Sequence, residues 1–283
     1  MSLTGMVYRP PYEANSLLLQ VTQGCSHNKC TFCYMYPDVP FTVCPMEQVE
    51  ADIEEATSNC PDVERVFLEH GDAFVLSADR LIQIADAIHA RLPQVKTIAM
   101  YASIQNIRQK TDAELRRLHE CGIGGLDIGV ESGLDAALKY MNKGHTAEEA
   151  KEQLLRLTDA GIEYSFNAIL GCGGAELWRE NADATAALMA ALPSQDFLPS
   201  VSFERTLCLP KGMPMRAAAA SPVPHIRMAA AARFGFPKTP QHTAIKAANI
   251  RKSISMLFLI SPGFFSTNSR GYHTSCSAAI NSG

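Results

Sequence analysis

Ser16-Leu-Leu-Leu-Gln-Val-Thr-Gln-Gly-Cys-Ser-His-Asn-Lys-Cys-Thr-Phe-Cys-Tyr34 runs from an apolar, strand-like segment straight into a loop that carries three cysteines. Cys25, Cys30 and Cys33 are one ligand short of a closed four-coordinate site, so a metal centre held there keeps a position open for another molecule. An open position points to chemistry rather than to stapling. Consecutive residues advance at most about 3.3–3.6 Å, so Cys25 to Cys30 can span roughly 16 Å and Cys30 to Cys33 roughly 10 Å, ample for curling around a multi-iron centre. Gly24 supplies backbone freedom at the loop's entry, and Phe32, between the last two thiolates, is placed to shield a cluster from water.

Outward from this loop, short β-like runs alternate with helix-length amphipathic stretches, the pattern of successive βα units around a parallel sheet. The runs at 16–22, 65–68, 97–101, 125–130, 164–170 and 201–207 read as strands. Between them, 46–58, 77–92, 112–121, 147–160 and 176–192 carry apolar residues at three- and four-residue intervals and read as helices. Periodicity does not choose between an open doubly wound sheet and a barrel, but in both the site lies at the strands' C-terminal ends. The unusual residues do follow the strands: the cysteine loop, then Glu69-His70-Gly71-Asp72, Ala102-Ser103, Glu131-Ser132-Gly133 and Gly171-Cys172-Gly173-Gly174.

With 283 residues, 47% of them hydrophobic, the chain can bury a large core. Its net charge of -4 conceals a division. Residues 1–204 carry 15 Lys and Arg against 29 Asp and Glu, whereas residues 205–283 carry ten against none. Beyond Pro214 the alternation gives way to alanine runs, scattered prolines and a Ser/Asn/Gly-rich end. We therefore divide the chain into an N-terminal extension (1–15), a core (16–210) and a basic, irregular tail (211–283). The tail reads as poorly folded or out of frame, or, if genuine, as a segment that attracts phosphate backbones and makes nucleic acid a partner. Nine cysteines give no even framework, which suits metal ligands and core thiols in a reducing compartment better than disulfides. The first residues lack a secretory pattern, and the apolar run 254–260 falls far short of the roughly 20 residues that span a bilayer. A cytoplasmic protein without a membrane partner is expected.

At these residues the chain resembles the radical S-adenosylmethionine superfamily, in particular cores of the Elp3, MiaB and NifB type. The resemblance implies a partial (β/α)6-type TIM barrel in which Cys25, Cys30 and Cys33 hold a [4Fe-4S] cluster. It implies that the fourth iron takes the amino and carboxylate groups of S-adenosylmethionine, and that the reduced cluster cleaves this cofactor to a 5'-deoxyadenosyl radical. Gly71-Asp72 is similar to the family's glycine-rich segment after the second strand. Ile128-Gly-Val-Glu-Ser-Gly-Leu-Asp135 with Met141-Asn-Lys-Gly144 resembles its fourth strand and following turn, and Asn167-Ala-Ile-Leu-Gly171 its fifth-strand segment near ribose and adenine. Gly71, Asp72, Ser103, Glu131, Ser132, Lys143 and Asn167 are accordingly the candidate cofactor contacts. The implied partners are a substrate, which the sequence does not identify, and an electron donor such as flavodoxin or ferredoxin.

Two departures stand out. The spacing here is C-x4-C-x2-C, one residue longer than the commonest family pattern, and the acid after the glycine is Asp72 rather than Glu. The competing reading of the cysteines is a zinc-binding, non-catalytic module with His27 or Cys44 as fourth ligand; an inactive or truncated copy of the family's core is another. A ferredoxin-like electron carrier would need a fourth cysteine at the site. Each polar candidate also has a plainer role: Gly71-Asp72 as a turn, Glu131-Ser132 as a helix cap, Lys143 as a surface charge. No group of the chain itself is assigned as catalytic.

Overall fold

The computed structural model describes residue 3, residues 5–169 and residues 171–193. The strand expected at 201–207 and the basic tail lie outside the described residues. A short 3-10 turn, Pro11–Glu13, precedes β1 (Leu17–Gln20), and β2 (Thr22–Gln23) pairs antiparallel with β3 (Thr42–Val43) across the cysteine loop. The single run expected at 16–22 is thus broken at Val21, where the chain leaves the main sheet for this small ribbon. Then follow α1 (Met46–Asn59), β4 (Arg65–Glu69), α2 (Ala78–Arg91), β5 (Thr97–Ala102), α3 (Ile104–Arg108), α4 (Asp112–Glu120) and β6 (Ile123–Glu131). The described region closes with α5 (Asp135–Tyr140), α6 (Ala147–Asp159), β7 (Tyr164–Ala168) and α7 (Gly174–Ala191). Neither α3 nor α5 is foreseen by the sequence: each spans less than two turns, too little for a periodicity to show.

The main sheet is parallel throughout, in the order β1-β4-β5-β6-β7. Strand neighbours follow chain order without reversal, so the winding never switches direction as it does in a doubly wound sheet. Side-chain partition gives the same answer. Alternate strand residues Leu19, Val66, Leu68, Ile98, Met100, Leu126, Ile128 and Phe166 share one apolar core with Val49, Ile53, Leu81, Ile84, Ile88, Leu115, Leu118, Leu154 and Leu157 of the helices. All these helices cover one face, and each fully buried side chain of this kind contributes about 1.5–3 kcal/mol. The opposite parity, Gln20, Phe67, Glu69, Tyr101, Asp127, Gly129, Glu131 and Asn167, lines the inner face. That is a partial TIM barrel.

Local chemistry sets the helix starts. Ser77 accepts from the Arg80 N–H at 3.3 Å, and Thr111 with Glu114 and Thr146 with Glu149 form reciprocal capping boxes on α4 and α6. Two bulges bend the sheet: between Ile98 and Met100, β5 faces an extra residue of β6, and a second irregularity falls at Gly129 to Glu131. Beyond it, the Gly133 backbone meets α7 so closely that a Cβ would lie 2.4 Å from the Ala184 carbonyl oxygen. Among the described residues, no helix is long and apolar enough to cross a membrane.

Candidate functional site

The cysteine loop lies at the C-terminal mouth of the sheet and is stapled from two sides. On one side, the Gly71 N–H donates to the Gly24 carbonyl at 3.2 Å, and Ser26 donates to Asp72 through its hydroxyl and, at 3.2 Å, its N–H. On the other, the Thr31 N–H donates to the Met141 carbonyl at 3.0 Å, Asn142 Nδ2 donates to the Lys29 carbonyl at 2.9 Å, and His27 Nε2 lies 2.8 Å from the Asn142 carbonyl. Phe32 packs into a small apolar cluster of Ala137, Leu138, Met141, Ile169 and Cys172, which anchors the loop's middle. Gly24 has φ +74°, and a Cβ there would stand 2.9 Å from the Val39 carbonyl oxygen, so glycine is needed at the entry.

Burial pushes the Cys25 thiol up to about 11, and Asp72 adds to that shift while the Asn28 and His27 backbone N–H groups oppose it. Burial raises Cys30 and Cys33 as well; Lys143 opposes it at both, and each feels a neighbouring charge of the trio or of Glu131. These are donors that need a positive centre before they ionise. Among the described residues, no three His, Cys, Asp or Glu side chains are grouped to share a single metal ion. A tetrahedral zinc would hold its sulfurs ~3.8 Å apart, whereas a cuboidal cluster takes each thiolate on a separate iron. Cys44, weighed above as a fourth ligand, packs against the main core and has Asp52 and Arg80 as its electrostatic neighbours, not the cysteine loop.

Gly71 and Asp72 follow β4, against the cysteine loop. A Cβ on Gly71 would come within 2.7 Å of the Tyr36 ring and 3.3 Å of Cys25 Cβ. Asp72 is 2% exposed; burial raises its carboxyl although Ser26 and Asn106 donate to it. Ser103 caps α3 and donates to Asn106 Oδ1, so it joins the site through Asn106. Glu131, at φ +72°, folds back over Gly129 to meet Lys143 Nζ at 3.3 Å. Burial by itself would lower the Lys143 ammonium, but Glu131, Cys30 and Cys25 outweigh it and hold it above the usual lysine range. Its Nζ lies 5.7 Å from the Phe32 ring centre. One buried cation therefore faces the thiols, a favourable place for an anionic group.

The remaining candidates are Ser132 and Asn167. Ser132 is fully buried and donates to Asn181 of α7 at 2.5 Å, and the Gly133 N–H donates to Thr185 Oγ1 at 2.9 Å, so this segment docks α7. Asn167 donates to Asp127 at 2.7 Å on the inner face, and the largely exposed Tyr12 donates to the same carboxylate at 2.8 Å. Burial pushes Asp127 up to about 6. Sequence reasoning missed Asn106, Ser26, Tyr36 and Glu69. Tyr36 packs between Tyr8, edge to face, and the tilted ring of His70, and burial pushes the fully enclosed Glu69 up to about 7. The hydroxyl of Tyr36 and Oε1 of Glu69 are buried without a partner among the described residues, so the inner face beside the cysteine loop holds polar atoms left for something else.

The profile of the Radical SAM superfamily matches residues 19–179. The 4'-phospho-dehydrooxetanocin synthase of Priestia megaterium is 25% identical over 173 residues, 55% of this chain and 23% of its own length. Among solved structures, the cobalamin-dependent S-adenosylmethionine radical enzyme OxsB, with aqua-cobalamin and S-adenosylmethionine bound, superposes with a TM-score of 0.51 and 18% identity. That match covers 68% of this chain and 28% of OxsB. The radical S-adenosylmethionine methyltransferase TsrM from Kitasatospora setae, with tryptophan and a cofactor analogue bound, also gives 0.51, at 19% identity over 64% of this chain and 35% of its own. At such identities the structural likeness is one of fold, and the chain spans only about a quarter to a third of these relatives.

Proposed function

Because the chain belongs to the radical SAM superfamily, we propose that its cysteine loop holds a [4Fe-4S] cluster through Cys25, Cys30 and Cys33. We further propose that the barrel mouth binds S-adenosylmethionine for radical chemistry on a substrate still to be identified. When bound, the pair supplies a one-electron reductive cleavage that yields a 5'-deoxyadenosyl radical for hydrogen abstraction. Residues of this chain orient and insulate it. Lys143, held charged by Glu131 and facing Cys30 and Cys25, offers an ammonium to the cofactor's carboxylate. Phe32 and Tyr36 keep water from the thiolates, and the two-sided staple fixes the loop before any ligand arrives. A low-potential one-electron donor, of the flavodoxin or ferredoxin kind, is the partner this chemistry requires.

The observation that carries the reading is the placement of three free, partly buried thiols on one stapled loop at the C-terminal mouth of a sequentially ordered parallel sheet. Anaerobic reconstitution with iron and sulfide, followed by dithionite and S-adenosylmethionine, should give iron–sulfur absorption and 5'-deoxyadenosine. Cys30→Ala should give neither. Stoichiometric zinc with no iron–sulfur absorption, or deoxyadenosine from reconstituted Cys30→Ala, would refute it.

A further inference from the structure

We propose that Asn106 is a positioning residue for the cluster loop, acting through Asp72 on Ser26, the residue that follows the first cysteine. The claim rests on the cluster assignment above and adds to it a residue that no sequence motif marks. Asn106 lies in the first turn of α3 and is 2% exposed. Its Nδ2 donates to Asp72 Oδ1, and its Oδ1 accepts from the Ser103 hydroxyl; its own N–H returns to Ser103 Oγ at 3.3 Å. Asp72 Oδ2 in turn accepts from both the hydroxyl and the N–H of Ser26. The end of β5, the turn after β4 and the cysteine loop are thereby joined in one directional chain of donors and acceptors.

This chain matters because residues 24–41 form no helix or strand and hold few bonds of their own. The loop's later half is fixed independently, through Thr31 and Lys29 to the end of α5. Cys25 and Ser26 themselves are held to the turn after β4 by Gly71 and by Asp72, of which only Asp72 acts through a side chain, while the His27 and Asn28 side chains bond the Asn142 and Tyr36 carbonyls just beyond them. Asp72, whose orientation Asn106 helps to fix, therefore contributes to where the first thiolate stands relative to the other two. With three donors already on it, the Asp72 carboxylate serves the loop.

The directionality gives a test. In Asn106→Ala, Asp72 loses a buried donor; in Asn106→Asp, two carboxylates face each other. The reciprocal swap, Asp72→Asn with Asn106→Asp, restores every bond: Asn at 72 donates to Asp at 106 and accepts from Ser26, and Ser103 still donates to 106. Two readouts are compared in the full chain, with folding followed by circular dichroism. One is the rate at which a reconstituted cluster loses iron to excess chelator; the other is amide exchange across residues 24–33 in the metal-free protein. We expect iron loss ~10-fold faster in either single variant, with faster exchange around Ser26. The swap should return both readouts to within about threefold of wild type. Wild-type rates in Asn106→Ala, or a swap no better than Asn106→Asp, would overturn the relay. Should Asn106→Ala fail to fold, the swap against Asn106→Asp decides. Should wild type take up no cluster, the proposed function fails, while exchange in the metal-free proteins still decides the relay.

Discussion

Replacing Gly71 by alanine isolates the contact between the glycine turn and the cysteine loop. The added Cβ would lie 2.7 and 3.1 Å from two Tyr36 ring carbons and 3.3 Å from Cys25 Cβ, against a comfortable carbon–carbon separation of about 3.5–4.0 Å. Tyr36 is 3% exposed and boxed in by the rings of Tyr8, 5.5 Å away, and His70, 5.3 Å away, so it has nowhere to swing. Overpacking of this kind costs about 1–3 kcal/mol. Gly71 is outside the left-handed region, so alanine also removes freedom from the unfolded chain and returns about 0.4–1 kcal/mol. The net is a loss of about 1–2 kcal/mol, roughly 0.5–1 M in urea midpoint, with the strain delivered to the first thiolate. Urea unfolding of the metal-free protein measures the first effect and iron content after reconstitution the second. In a Tyr36→Val background both ring contacts are gone and the 3.3 Å approach to Cys25 Cβ remains, so Gly71→Ala should cost clearly less. An unchanged midpoint in the single variant, or an equal loss in both backgrounds, would refute the reasoning.

Lys143→Met removes the ammonium that faces Glu131 at 3.3 Å in a buried setting and should cost about 3 kcal/mol in urea unfolding. Adding Glu131→Gln should recover most of that loss; no recovery would show that the two side chains are not coupled. Lys110 is buried, donates to the Phe74 carbonyl at 2.6 Å, and is pushed down to about 8 chiefly by burial. Below pH 8 both folded and unfolded chains carry its proton; between 8 and the ordinary lysine value only the unfolded chain does, so this group adds stability as pH rises, about 3 kcal/mol in full. Urea midpoints of wild type and Lys110→Met at pH 7 to 10 should show wild type gaining on the variant, and a constant difference would contradict the shift.

Sequence alone determined the βα alternation, because helix and strand periodicities are local, and it singled out the three thiols proposed as metal donors, because three thiols within nine residues have no common structural purpose. It also marked Gly24 and Gly71, each of which proves to stand where a side chain has no room. It left undecided how the sheet winds. Apolar alternation is the same for open and closed sheets, and only the strand order and the single helix-covered face distinguish them. The residues around the cysteines were legible as types but not as partners. Ser132 reads as a cap yet bonds to Asn181, 49 residues on, and Asp72 reads as a cofactor ligand yet is engaged by Ser26 and Asn106, which are 46 and 34 residues away. Asn106 carried no signal at all, since a polar residue in a five-residue helix belongs to no period. A carboxylate's choice of donor is settled by which loops the fold brings within 3 Å of it, and that is a property of the assembled fold rather than of any stretch of chain.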